Sequence, residues 1–169
     1  NYKPFEVPQD ILDEWKKIGD KGAQLEKNWQ ETINKKNPKI KSELEKNYIN
    51  SDLGELENLI EKEKTKYFET KPSLATRQCS MAVIEKVSAI LPQLIGGSAD
   101  LSGSNNTKTN NSKIINSKNF DGNYIHYGVR EHGMAAVMNG LALYGGMIPY
   151  GGTFLIFSDY CKPSIRLSA

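Results

Sequence analysis

Two cysteines and two histidines in 169 residues leave this sequence few ligands for a metal. Cys79 and Cys161 stand far apart, and no set of His, Cys, Asp and Glu recurs at metal-ligand spacing. Reduced, buried thiols in a cytoplasmic protein are therefore expected, not a disulfide framework. No apolar run approaches the roughly 20 residues of a membrane span, and no signal-peptide pattern opens the chain, so no membrane partner is expected. Net charge is only +2, which makes no electrostatic case for nucleic acid. Arginine is scarce, at Arg77, Arg130 and Arg166 alone; the excess of lysine is a compositional bias, not chemistry. Neither G-x-G-x-x-G nor G-x-x-x-x-G-K-[ST] occurs, which removes the usual nucleotide-binding fingerprints. No internal repeat is visible.

What is present is unevenly spread. Residues 1–72 carry 14 Lys/Arg and 15 Asp/Glu, whereas residues 73–169 carry 8 and 5 but hold 11 of the 14 glycines. The contrast predicts exposed, mixed-charge helices over 1–72 and a compact α/β unit over 73–169. In the first part Ile11, Trp15, Ile18, Leu25, Trp29 and Ile33 fall on one helical face behind a possible Asp10 cap, with a possible break at Gly19 and Gly22. Pro38 suits the first turn of a second helix with Ile40, Leu44 and Tyr48 inward. Ser51 or Asp52 would cap a third, with Leu53, Leu56, Ile60 and Tyr67 inward.

In the second part Ala75–Leu91 reads as a helix and 94–100 as a short buried strand, with Gly96-Gly97 there for close backbone packing. Residues 107–119 read as an exposed polar loop. Met147–Tyr150 reads as another strand, Gly151-Gly152-Thr153 as a turn, and Phe154 as the start of the last helix. Strands alternating with helices imply an open, mostly parallel sheet with helices packed on it.

The stretch from Tyr124 to Met134 reads as a strand, a Gly128 break, and a helix carrying Glu131 in its first turn. Open parallel sheets place their ligands at such strand-to-helix turns. Alone, Glu131 is either a helix-terminal acid favoured by the dipole or a working carboxyl. His126 and His132 flank it, and either fits a core residue as readily as a catalyst. Phe154, Phe157 and Tyr160, at i, i+3 and i+6, are either core or a wall that stacks a heteroaromatic ring. Arg77 is either half of a surface ion pair or a guanidinium clamp on phosphate.

Three runs decide between these alternatives: Ile95-Gly96-Gly97-Ser98-Ala99-Asp100-Leu101, Gly128-Val129-Arg130-Glu131-His132-Gly133-Met134 and Pro149-Tyr150-Gly151-Gly152-Thr153-Phe154. With the lead-in Pro4–Pro8 and with Ala75-Thr76-Arg77, they resemble the transketolase family in order and spacing, over nearly the whole chain. The charged helices and the 107–119 loop are the divergent pieces. The resemblance implies that residues 1–72 are the helical linker leaving a diphosphate-binding domain. Residues 73–169 would be the first part of a pyrimidine-binding domain, truncated, in a piece of a longer protein.

The cofactor implied is thiamine diphosphate, held between two subunits of a homodimer. By motif, Glu131 resembles the catalytic glutamate that bonds the aminopyrimidine ring nitrogen and promotes loss of the thiazolium C2 proton. Phe154, Phe157 and Tyr160 resemble the aromatic wall around that ring, and Asp100 and Leu101 resemble cofactor contacts at the subunit junction. Arg77 and Ser104 resemble the pair that holds a sugar substrate's terminal phosphate. The implied reaction transfers a two-carbon ketol unit from a ketose phosphate to an aldose phosphate, in the pentose phosphate pathway. The family's Gly-Asp-Gly run, which binds the diphosphate through Mg²⁺ or Ca²⁺, does not occur here, so this chain alone is expected to be inactive. Dihydroxyacetone synthase is a related alternative, and a non-catalytic dimerisation or regulatory module of the same fold is another.

Overall fold

A computed structural model describes residues 3–48 and 53–168. The chain divides into two compact units, Asn1–Glu45 and Lys46–Ala169. In the first, α1 (Gln9–Asn34) is one continuous helix. It runs straight through Gly19 and Gly22, where an added Cβ would meet nothing. In a helix of 26 residues the unbroken backbone ladder outweighs the roughly 1 kcal/mol propensity cost of each glycine. The N-cap is Pro8, and Asp10 lies in the first turn instead of capping the helix. None of its residues is buried: Trp15, Ile18, Leu25 and Trp29 are all more than half exposed, so the apolar stripe has no cover within this unit. Pro38 begins α2 (Pro38–Tyr48) as expected, with the Asn37 side chain accepting the Lys39 N–H at 2.9 Å. Ile40, expected inward, is exposed. The Tyr48 side chain and the expected caps Ser51 and Asp52 lie outside what is described.

In the second unit α3 (Gly54–Thr70) and α4 (Thr76–Ile90) face each other across an apolar groove lined by Leu59, Ile60, Tyr67, Cys79, Val83 and Val87. Glu63 and Lys86 pair at its edge, and the Lys86 hydrogen bond holds the Glu63 carboxyl below its ordinary range. Leu53 and Ile60 remain more than a third exposed, against expectation. At the start of α4 the Gln78 side chain folds back to accept the Ala75 N–H at 2.9 Å.

The sheet has three parallel strands in the order β2-β1-β3, where β1 is Leu94–Ser98, β2 Tyr124–His126 and β3 Ile148–Gly152. Between β1 and β2 stands the short α5 (Ser102–Asn105), and between β2 and β3 runs α6 (Glu131–Tyr144). This is the open parallel arrangement with packed helices that the alternating pattern predicts. Gly96 and Gly97 pack as expected. A Cβ at Gly96 would land on the Tyr150 ring, and one at Gly97 on the Ile125 carbonyl and the Tyr127 ring.

Gly151 and Gly152 form the end of β3, paired with Gly97 and Ser98, instead of a turn. A side chain at Gly151 would strike Met134 and Met138 of α6, so glycine lets that helix lie on the strand. The core gathers around the central strand: Leu91, Leu94, Ala99, Tyr124, Met134, Ala135 and Cys161 are buried. Burying a side chain such as Met134 contributes about 1.5–3 kcal/mol.

The 107–119 segment is not a free polar loop. Thr107 and Thr109 are buried, Ile114 bridges to Tyr124, and the Ile115 N–H donates to the Tyr124 carbonyl at 2.8 Å. Its hydroxyls and amides find partners inside, which lets a polar sequence lie against the sheet edge. After β3, a 3₁₀ helix (Leu155–Cys161) precedes α7 (Lys162–Ser168), so one expected helix is two of different pitch.

Candidate active site

The carboxyl ends of the three strands carry the sequence-nominated residues. Beyond β2, Gly128 adopts φ +68°, a left-handed conformation that reverses the chain, and a Cβ there would meet the Arg130 guanidinium. Arg130 Nη1 donates back to the Tyr127 carbonyl at 2.9 Å, closing the turn. Glu131 is then the first residue of α6 and is only 8% exposed. A solvated helix-terminal acid would not be buried. Cys161, at the end of the 3₁₀ helix, donates its thiol to the Glu131 carbonyl at 3.3 Å. Burial, and then the Glu131 charge, push the Cys161 thiol up from its ordinary range.

The 3₁₀ geometry arranges the aromatic row. Three residues per turn bring i, i+3 and i+6 onto one line. Phe154 and Phe157 stack with ring centroids 5.7 Å apart and planes 20° apart, and Phe157 meets Tyr160 at 6.4 Å. Phe154 is 41% and Tyr160 64% exposed, so the row is a surface and not core. Such a row, joined through Cys161 to the backbone of a buried glutamate, suits a flat heteroaromatic ring carrying a basic nitrogen.

Arg77, near the start of α4, and Ser104, in α5, come together although 26 residues separate them in sequence. With Gln78, Gly103, Asn106 and Phe154 they line one cavity of about 500 Å³. Among the described residues Arg77 has no carboxylate partner, which leaves its fork of donors facing the cavity. Phe154 belongs both to this cavity and to the aromatic row, and so joins the two halves of the site. Thr153 Oγ1, in the wall of the adjoining larger cavity, is buried without a hydrogen-bond partner.

Asp100 and Leu101 follow the end of β1. Asp100 is exposed and held at φ +60°, and the Leu101 N–H donates to Ser98 Oγ at 3.2 Å. Neither lines the Arg77–Ser104 cavity. The two histidines flanking Glu131 have structural partners: His126 packs edge-on against Tyr124, and His132 Nδ1 meets Ser164 Oγ at 3.3 Å. Among the described residues no group of three His, Cys, Asp or Glu stands close enough to hold a metal.

Several contributors escaped sequence reasoning. Cys161 carries no motif, and its role depends on packing 30 residues away. Ser98, Asn105, Thr107 and Tyr124 form a buried hydroxyl and amide network beneath α5. Only the sequence proximity of Tyr124 to the Glu131 turn could have drawn notice.

Fold and site together define a parallel-sheet α/β domain whose strand ends present a buried carboxyl, an aromatic row and an arginine–serine cavity. Residues 72–169 match the family model described as transketolase, pyrimidine binding domain, and the chain belongs to that family. It is 44% identical to a transketolase of Cereibacter sphaeroides over all of its length and 25% of that protein's. It is 43% identical to a transketolase of Sinorhizobium medicae (strain WSM419), over 99% of the chain and 24% of the relative. Among solved structures, a Pichia stipitis transketolase in complex with sedoheptulose-7-phosphate superposes with TM-score 0.77 at 30% identity. That superposition covers 98% of this chain and 25% of the other. Transketolase from Campylobacter jejuni gives the same TM-score at 32% identity, over 98% and 24%. The chain thus spans about a quarter of the relatives it matches. No helix among the described residues is long and apolar enough to cross a membrane.

Proposed function

We propose that this chain is the central part of a transketolase. Residues 1–72 would be the helical linker after a diphosphate-binding domain, and residues 73–169 the start of the pyrimidine-binding domain. The full-length enzyme transfers a two-carbon ketol unit from a ketose phosphate to an aldose phosphate, as a cytoplasmic homodimer. What supports this is the burial of Glu131 at the start of α6 together with its bond, through Cys161, to the 3₁₀ helix whose partly exposed aromatic row forms a wall. A structural acid at a helix start needs no such wall.

Thiamine diphosphate, when bound, supplies an electron sink for breaking and remaking a carbon–carbon bond beside a carbonyl. Glu131 would hydrogen-bond a ring nitrogen of the pyrimidine, where burial excludes competing water. Phe154, Phe157 and Tyr160 stack on and shield that ring, and the orphaned Thr153 hydroxyl offers a further donor in the same wall. Asp100 and Leu101 contact the cofactor where two subunits meet. Arg77 and Ser104 take the terminal phosphate of the sugar, the arginine through paired charge-assisted bonds. The divalent cation, Mg²⁺ or Ca²⁺, is assigned to the diphosphate-binding domain.

The deciding experiment is a transfer assay on full-length protein with thiamine diphosphate and Mg²⁺. A ketose phosphate donor and an aldose phosphate acceptor should give the ketol-exchanged pair. Transfer to formaldehyde alone would reassign the protein to dihydroxyacetone synthase chemistry. No turnover with cofactor bound would indicate a non-catalytic module.

A further inference from the structure

Tyr124 is the largest fully buried side chain of the described residues, yet nothing in the chemistry above uses its hydroxyl. That hydroxyl lies 2.7 Å from Ser102 Oγ and 2.9 Å from Thr107 Oγ1. These two residues bracket Ser104, the serine of the phosphate cavity. The direction of the hydrogen bonds follows from chemistry. Asn105 Oδ1 can only accept, so the Thr107 hydroxyl donates to it, at 2.8 Å. Thr107 Oγ1 therefore accepts from Tyr124, and Tyr124 accepts from Ser102.

The chain continues through Asn105 Nδ2 to Ser98 Oγ at 3.0 Å, and from Ser98 Oγ to the Gly152 carbonyl at 3.0 Å. Ser98 is 0% and Thr107 7% exposed, so no water competes for these groups. Tyr150, on β3, adds a bond from its hydroxyl to the Thr107 carbonyl at 2.9 Å. Every proton in the run has one destination, and the run ties α5 at Ser102 to the Gly152 carbonyl of β3 by way of β2 and the central strand.

We infer that Tyr124 is a positioning residue for substrate phosphate: its buried hydroxyl locks both flanks of α5 and so fixes Ser104 opposite Arg77. The inference rests on the reading of Arg77 and Ser104 as the phosphate grip. Phenylalanine keeps the ring and the packing but strands the Ser102 proton and leaves Thr107 without its donor. A net hydrogen bond is lost from each flank, and Ser104 is then held in several placements instead of one.

The test uses full-length enzyme and steady-state kinetics with a phosphorylated ketose donor and with its unphosphorylated counterpart. Tyr124→Phe should raise KM for the phosphorylated donor about three- to tenfold, with kcat and the unphosphorylated reaction within about twofold of wild type. Ser102→Ala, which removes one flank only, should move KM in the same direction by less. Arg77→Ala, run in parallel, should raise KM for phosphorylated donors about ten- to hundredfold and so certify the grip.

A purely structural Tyr124 would lower the unfolding temperature while leaving the ratio of the two KM values unchanged. That result, or an equal KM rise for both donors, overturns the inference. If Arg77→Ala discriminates between the donors and Tyr124→Phe does not, the inference fails while the phosphate assignment stands. If Arg77→Ala itself shows no discrimination, the phosphate assignment falls and Tyr124 falls with it.

Discussion

In the proposed site, Glu131 acts through where one carboxyl is placed. At the first position of α6 the helix dipole favours its charge, while the buried setting shuts out water. In full-length enzyme Glu131→Ala and Glu131→Gln should each lose about 10²–10⁴-fold in kcat, with cofactor binding damaged less. Alanine leaves the pyrimidine nitrogen unbonded. Glutamine can hydrogen-bond to it but cannot hand over a proton. Exchange of the cofactor's C2 proton in D₂O, read by NMR after acid quench, isolates this step from sugar binding. Slow exchange with cofactor still bound is the expected result. Exchange at the wild-type rate, with a stability change of about 0.3–1 kcal/mol, would reduce Glu131 to a helix-terminal acid. The sequence could nominate Glu131 and Arg77 because each sits in a contiguous motif, Gly128–Met134 for one and the short Ala75-Thr76-Arg77 for the other. It could not nominate Tyr124 and Cys161, because their partners lie far from them along the chain.

Among the elements, the 3₁₀ helix does most to shape the site. Its last residue is moored to α6 by the bond from Cys161 Sγ to the Glu131 carbonyl at 3.3 Å, and α7 directly after it by two more: Ser164 Oγ with His132 Nδ1 at 3.3 Å, and Asn139 Nδ2 to the Ser164 carbonyl at 2.8 Å. These set the aromatic row against the start of α6. Residues 154, 157 and 160 are also compatible with one face of an α-helix, so spacing alone could not tell the two pitches apart.

The strand β3 carries its own test. Burial pushes the Tyr150 phenol up to about 12 from its ordinary 10.0. Between those values the unfolded chain sheds the proton while the folded one keeps it, so alkali favours unfolding. The stability that Tyr150 contributes is full below pH 10.0 and lost as pH rises toward about 12. Unfolding midpoints of full-length wild type should therefore fall steeply across this window, and those of Tyr150→Phe less so. Burial also raises the Tyr127 phenol, and this remains as a common background in both proteins. Identical slopes would show that Tyr150 is not the group responsible.

At the scale of the molecule, the proposed site is only half a cofactor site. On the proposed reading the chain supplies residues for the pyrimidine ring and for the sugar phosphate, but its sequence has no Gly-Asp-Gly motif for a metal-bound diphosphate. Calorimetry on the isolated chain with thiamine diphosphate and Mg²⁺ should accordingly show little or no binding, and assays no transfer. A micromolar affinity would refute the division of the site. Sedimentation of full-length protein should give at least a dimer, and a fully active monomer would contradict the shared site.

The sequence by itself determined the alternation of the main helices and strands, the parallel sheet, the family and the close packing at Gly96-Gly97. Periodicity, composition and contiguous motifs are local properties, readable without coordinates. Only the tertiary structure decided that Gly151 and Gly152 extend a strand, that the 107–119 segment is pinned, and that the α1 stripe is uncovered in its unit. It alone set Arg77 and Ser104 in one cavity and bonded a tyrosine hydroxyl to Ser102 and Thr107 on either side of Ser104. Such pairings join groups distant along the chain, and their direction depends on which neighbour can accept a proton after the chain has closed on itself.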